Sequence, residues 1–89
     1  MLNPSYSKQF ERDLKKMLKQ GKNGGKIKGV IRSLINEEPL APKYKDHKLI
    51  GNYKGRRECH VEPDWLLVYK KMIEQIVFER TGTHSDLFK

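Results

Sequence analysis

An 89-residue chain with 19 Lys+Arg against 11 Asp+Glu carries a net charge of +8, which points to a polyanionic partner: nucleic acid, an acidic membrane or an acidic protein. The length suits a single domain over residues 1–89 with one modest core, and it leaves no room for a second. A lone cysteine, Cys59, excludes an internal disulfide framework and suits a reducing cytoplasm, and no apolar run of signal-peptide or membrane-span length follows Met1.

Leu2–Tyr6 reads as a short opening strand. In "SKQFERDLKKMLK", Ser7–Lys19, the residues Phe10, Leu14, Met17 and Leu18 fall at helical spacing with charges on the opposite face. Ser7 is the expected N-cap and Gly21 the expected stop. The glycine loop Gly21–Gly25 follows. "KIKGVIRSLINEEPL" then carries the apolar stripe Ile27, Val30, Ile31, Leu34 and Ile35, a second helix that ends before Pro39 because the residue preceding a proline is pushed out of the helical region. Pro39–Gly55 is a long, basic, irregular connection, a length that is uncommon unless functional or disordered.

The second half reads as three strands. Cys59 and Val61 alternate with Glu58, His60 and Glu62; Glu62-Pro63-Asp64 turns the chain, Trp65–Lys70 returns it, and Ile76–Thr83 follows after a looser connection. Helices first and strands after predict an α+β domain, with an N-terminal helical hairpin packed on one face of a small, mainly antiparallel sheet.

All three histidines, His47, His60 and His84, lie in the second half. Strand alternation sends Glu58 and His60 to one face, opposite Cys59 and Val61, and that face is expected to be the one left free by the helices. Arg80 and His84 follow the third strand, so a single basic surface is expected to gather imidazoles, carboxylates and a guanidinium. This is an inventory for cleaving RNA without a metal: a base for the 2′-hydroxyl proton, an acid for the 5′-oxygen, and a cation for the charge on the phosphorane. Imidazole suits both proton transfers, since its ordinary pKa lies near 6.5.

Each residue also has a plainer reading. A histidine in a small basic domain is commonly a surface or hydrogen-bonding residue, and Glu58 on a strand face is commonly a cross-strand salt-bridge partner. Trp65 opens an apolar strand and belongs to the core by default, with base stacking as the other reading. Cys59 points inward, buried and inert. Zinc is unsupported, because closely spaced His/Cys pairs are missing, and "GKNGGK" lacks the spacing of a phosphate-binding loop. No cofactor or metal is expected.

The motifs "KDH", "R-x-x-H-V-x-P-D-W" and "R-T-G-T-H-x-x-L-F", dense from Pro39 to Phe88, resemble the YafQ branch of the RelE/ParE toxin superfamily, and the helical half is similar in pattern. The resemblance implies a RelE-like fold and a ribosome-dependent endoribonuclease that cuts messenger RNA in the decoding site. It also implies a cognate antitoxin that wraps the toxin. Carried onto this sequence, the functional histidines are His47, His60 and His84, joined by Asp64, Trp65, Arg80 and Phe88. Relatives often have aspartate two positions before the strand histidine. Here it is Glu58, an orienting or proton-relay carboxylate with a reach one methylene longer. RNA contacts are expected from Trp65, Phe88, Lys45, Lys54, Arg56 and Arg57. Phe88 either stacks on a nucleotide or packs the tail that holds His84. The partners expected are an acidic, partly disordered antitoxin, ribosomal RNA and messenger RNA, with no membrane and a bacterial cytoplasmic location. The rival readings are a gyrase-directed relative of the same fold, a non-catalytic basic binding module, and an acid–base enzyme acting on a small phosphorylated molecule.

Overall fold

The first helix starts where its cap predicts. In the computed structural model, which describes residues 1–88, a short strand β1 (Asn3–Tyr6) leads into α1 (Lys8–Lys19). The Ser7 hydroxyl accepts the Phe10 N–H at 2.9 Å, satisfying one of the amides that a helix start leaves open. Gly21 follows the helix at φ 89°, a left-handed conformation that glycine adopts without cost. Asn23 caps α2 (Gly24–Ile35). Phe10 and Met17 of α1 and Ile27, Val30 and Leu34 of α2 are buried.

Five strands form one sheet in the order β1-β5-β4-β3-β2, where β2 is His47–Lys48, β3 Arg57–Glu62, β4 Trp65–Lys71 and β5 Gln75–Gly82. β1 pairs with β5 in parallel and the other pairs are antiparallel. The sheet is therefore mixed, antiparallel over three of its four pairings, with a short helix α3 (His84–Leu87) after β5. Cys59, Val61, Trp65, Leu67, Tyr69, Ile76 and Phe78 join the two long helices in the main core. Burying each such side chain contributes about 1.5–3 kcal/mol.

Two bulges set what the sheet presents. One falls between His60 and Glu62, opposite Leu66 and Trp65, so Val61 remains on the helix side while His60 faces out. The other falls between Val68 and Tyr69, opposite Arg80 and Phe78, which keeps Phe78 in the core and brings Thr81 to the helix side. The outer face was expected to be free. Instead, Leu66 and Val68 are fully buried beneath Leu87 of α3, with Leu49 and Tyr53 of the long connection packed against them. β4 is apolar and buried at five successive positions, Trp65 to Tyr69, so it has two greasy sides, and the connection and α3 supply the second cover. That connection is ordered into two short 3₁₀ turns, Pro42–Tyr44 and Gly51–Tyr53, around β2.

Candidate active site

Three elements deliver the three histidines to one row. His47 opens β2 and lies opposite Glu58 in the β2–β3 ladder. His60 sits two residues farther along β3, on the same face, and His84 is the first residue of α3. The ring centroids of His47 and His60 are 6.4 Å apart, and those of His60 and His84 are 5.8 Å apart.

Glu58 lies between the first two rings and is only 5% exposed. Its Oε2 stands 3.2 Å from Nε2 of His47 and 3.8 Å from Nε2 of His60. A carboxylate this buried needs hydrogen-bonding or charged partners, and the imidazoles provide them. Nδ1 of His47 lies 2.6 Å from the Lys45 carbonyl, and Nδ1 of His60 lies 3.1 Å from the Pro63 carbonyl. A carbonyl only accepts, so each Nδ1 carries a hydrogen and each Nε2 is left facing the carboxylate. His47 and Glu58 can therefore hold a further proton between them.

His84 is oriented differently. The Asp64 carboxylate, in the β3–β4 turn, accepts the His84 backbone N–H at 2.9 Å and its Nδ1–H at 2.7 Å. Those two bonds hold the Asp64 carboxyl below its usual value. With Nδ1–H committed to Asp64, Nε2 is the nitrogen left to take or give a proton, as in the carboxylate-oriented imidazoles of hydrolases. The short helix beneath is built for this. Thr83 and Asp86 form a reciprocal capping box, and Asp86 also takes a hydrogen bond from Lys16 of α1 at 3.1 Å. Position 82 is tight, since a Cβ there would stand 3.0 Å from the Asp86 Cβ and press on the capping box.

Arg80 is held by α1. It donates through Nε and Nη2 to Asp13 of α1 at 2.7 and 3.3 Å, and hydrogen bonding to Asp13 raises its already high pKa. Asp13 also accepts the Thr81 backbone N–H at 3.2 Å, so α1 clasps the segment that leads to His84. Arg56 is likewise paired with Glu79 at 2.6 Å and Arg57 with Asp46 at 3.3 Å. Lys45 and Lys54 are exposed, and Lys45 takes a left-handed conformation two residues before His47.

Trp65 requires a correction. Its ring is 0% exposed, and its indole N–H donates to the Thr81 hydroxyl at 2.9 Å, so no ring face is left for a base and the RNA contact expected of it is withdrawn. Phe88 packs edge-on against Tyr53, with centroids 5.3 Å apart, and stays 38% exposed. Cys59 is buried, and burial pushes its thiol up to about 12.

Several contributing residues escaped the sequence reading. Asp13 looks like any charge on the outer face of α1. Asp46, next to His47, accepts the Tyr69 hydroxyl at 2.5 Å as well as the Arg57 guanidinium, anchoring the start of β2. Thr83-x-x-Asp86 did carry a signal, the Ser/Thr-x-x-Asp/Glu capping pattern, which marks a helix start at His84. Among the described residues, no group of three or more His, Cys, Asp or Glu side chains is arranged to hold a metal ion, and no helix is long and apolar enough to cross a membrane.

A small α+β domain with a carboxylate-threaded histidine row defines the class of molecule, and comparison with known proteins narrows it. The model of the family described as the bacterial toxin of type II toxin–antitoxin systems, YafQ, matches residues 2–89. Over 84 residues the chain is 49% identical to the mRNA interferase toxin YafQ of Escherichia coli K12, covering 93% of this chain and 91% of that one. It is 41% identical over 91 residues to the putative toxin YafQ of Haemophilus influenzae, covering 94% and 89%. Its fold superposes on a chain of the E. coli DinJ–YafQ complex with a TM-score of 0.94 at 46% identity, over 100% of both chains. The chain belongs to the YafQ family of bacterial type II toxin–antitoxin toxins.

Proposed function

We propose that this protein is an endoribonuclease toxin that cuts messenger RNA on the ribosome by metal-independent general acid–base catalysis. The observation that carries the reading is the row itself: three imidazoles with neighbouring centroids about 6 Å apart, threaded by Glu58 and steered by Asp64, on a chain of net charge +8. The relative at 49% identity is named an mRNA interferase. One imidazole removes the 2′-hydroxyl proton, the 2′-oxygen attacks phosphorus, and a second group delivers a proton to the departing 5′-oxygen. The products are a 2′,3′-cyclic phosphate and a 5′-hydroxyl end. His84, held by Asp64, makes one transfer, and the proton shared by His47 and Glu58, with His60 beside it, supplies the other. Arg80, fixed by Asp13, adds positive charge near the phosphorane, while Lys45, Lys54, Arg56, Arg57 and Phe88 contact the RNA.

The partners follow from the same reading. Ribosomal RNA offers phosphates to the scattered lysines, contacts that position the protein and make binding salt-dependent. The structure of a relative bound to DinJ supports an antitoxin partner for this chain, one acidic enough to complement its charge, in a bacterial cytoplasm. Cleavage of a defined message by His84→Gln tests the chemistry. A fall of about 10²–10⁴ is expected for loss of a positioned acid–base group, and a rate within a few-fold of wild type removes His84 from the mechanism. A non-catalytic binding module would give no cleavage product with either protein.

A further inference from the structure

Beyond the two-residue ladder with β2, the edge of β3 is flanked by other elements, and a cleft of about 350 Å³ opens there. The strand and turn from His60 to Pro63 form one wall. Lys43 and Tyr44 of the first 3₁₀ turn and Lys26 of α2 form the other. His60 is common to the cleft and to the histidine row, so the two are continuous. The acid–base chemistry makes no use of Tyr44, Lys43 or Lys26.

Size, shape and charge agree on an occupant. The volume falls at the lower end of the range of about 300–1,000 Å³ typical of small-molecule sites, which suits one nucleotide. Tyr44 is half-buried and packed against the main core, which fixes its ring. The Lys43 ammonium lies 5.2 Å from the ring centroid, so that ring face is covered by the end of an exposed, flexible side chain. Lys22 and Lys26 both bond Glu62, at 3.1 and 2.7 Å, and with Lys43 they put three cations against one carboxylate. A fixed aromatic ring, apolar walls from Val61 and Pro63, and a surplus of lysines are the parts from which single-stranded nucleic acid sites are made.

We propose that this cleft is the subsite for the nucleotide flanking the scissile phosphate, with its base stacked on Tyr44 and its phosphate held by Lys43 and Lys26, and with His60 at the junction to the bond that is cut. The proposal rests on the nuclease reading above and adds to it the place where the RNA is gripped. Lys43 is exposed and swings from the ring to the phosphate when the base enters. Because every base has a stacking face, the cleft contributes affinity and register more than base identity.

The test is binding of a 5′-labelled RNA trinucleotide, 2′-O-methylated so that it cannot be cut, to the full chain. Wild type, Tyr44→Ala, Tyr44→Phe and Lys43→Glu are compared, each with its melting curve. Tyr44→Ala is expected to raise Kd about 5- to 150-fold, the value of one stacked base, while Tyr44→Phe stays near wild type and Lys43→Glu weakens binding. Adenosine monophosphate added to wild type should shift the amide resonances of Tyr44, His60 and Val61. A folded Tyr44→Ala with wild-type affinity overturns the proposal. Should Tyr44→Ala fail to fold, unchanged binding by Lys43→Glu together with nucleotide shifts that avoid Tyr44 and Val61 overturns it equally. The two readings separate cleanly. Tyr44-dependent binding without His84-dependent cleavage keeps the cleft and rejects the nuclease; His84-dependent cleavage that ignores Tyr44 and Lys43 does the reverse.

Discussion

Trp65→Phe separates a core tryptophan from an RNA-stacking one. The indole is fully buried, and its N–H donates to the Thr81 hydroxyl at 2.9 Å, which in turn donates to the Leu66 carbonyl at 2.7 Å. Phenylalanine keeps the aromatic packing but loses that one buried hydrogen bond, a cost of about 1 kcal/mol. The missing part of the indole leaves a small cavity, a further cost of about 1 kcal/mol at roughly 24 cal/mol per Å³. Thr81 retains its bond to Leu66, so no donor is stranded and the penalty does not grow. The sum, about 2 kcal/mol, corresponds to a fall in Tm of about 8–16 °C for a domain of this size. Thermal melting gives the first number. Single-turnover cleavage, measured well below the variant's Tm, gives the second, and it should stay within about threefold of wild type, since no atom that touches RNA has changed. A variant that melts like wild type yet cleaves 10- to 100-fold more slowly refutes this reasoning, because the indole would then be acting on substrate.

Other consequences are as direct. Glu58→Gln keeps the size of the side chain but removes the carboxylate charge that faces His47 and His60; cleavage should fall by about 10² or more, and a single-turnover rate near wild type would assign Glu58 a structural role alone. The Asp64 carboxyl, lowered by its bonds to His84, should titrate by NMR below 3.8, its ordinary value. A depressed carboxyl pKa stabilises the fold above the unfolded value and loses that contribution as pH falls through the folded one, so the Asp64–His84 contact should open only in acid below pH 3.8. His84→Ala should return the midpoint toward the ordinary value, and a wild-type midpoint at or above it contradicts the geometry. Asp13→Ala strands the Arg80 guanidinium and the Thr81 N–H; a loss of about 1–3 kcal/mol, with faster amide exchange at Thr81, is expected, and unchanged exchange there would show that α1 does not clasp the strand. Cys59, whose thiol is pushed up to about 12 by burial, should resist a disulfide reagent at neutral pH until the chain unfolds, whereas prompt labelling of native protein would place it nearer the surface.

Local periodicity made the helical hairpin and the β3–β4 turn legible, because Phe10, Met17, Ile27, Val30 and Leu34 repeat at helical spacing and Cys59 and Val61 alternate. Strand β1 was expected, but its parallel place beside β5 was not. Asn3–Tyr6 is exposed throughout and carries no alternation to betray which strand it joins. β2 is two residues long, too short for any period. The family resemblance pointed to His47, His60 and His84, but their spacing in the row depends on the register that sets His47 opposite Glu58. Register of that kind is fixed by loop geometry and packing rather than by local sequence. The Asp13–Arg80 pair joins residues 67 positions apart, and long-range ion pairs leave no local trace. Trp65 shows the opposite hazard. A motif position suggests chemistry, while burial decides what the side chain can touch.

The most direct test of the nuclease reading is RNA-end mapping on a defined message in a translating extract, with purified wild type beside His84→Gln, each with and without ribosomes. The reading predicts cuts inside codons, ending in 2′,3′-cyclic phosphates, that appear only when ribosomes and His84 are both present. Equal cutting by His84→Gln, or undisturbed translation and intact message with wild-type protein, contradicts it.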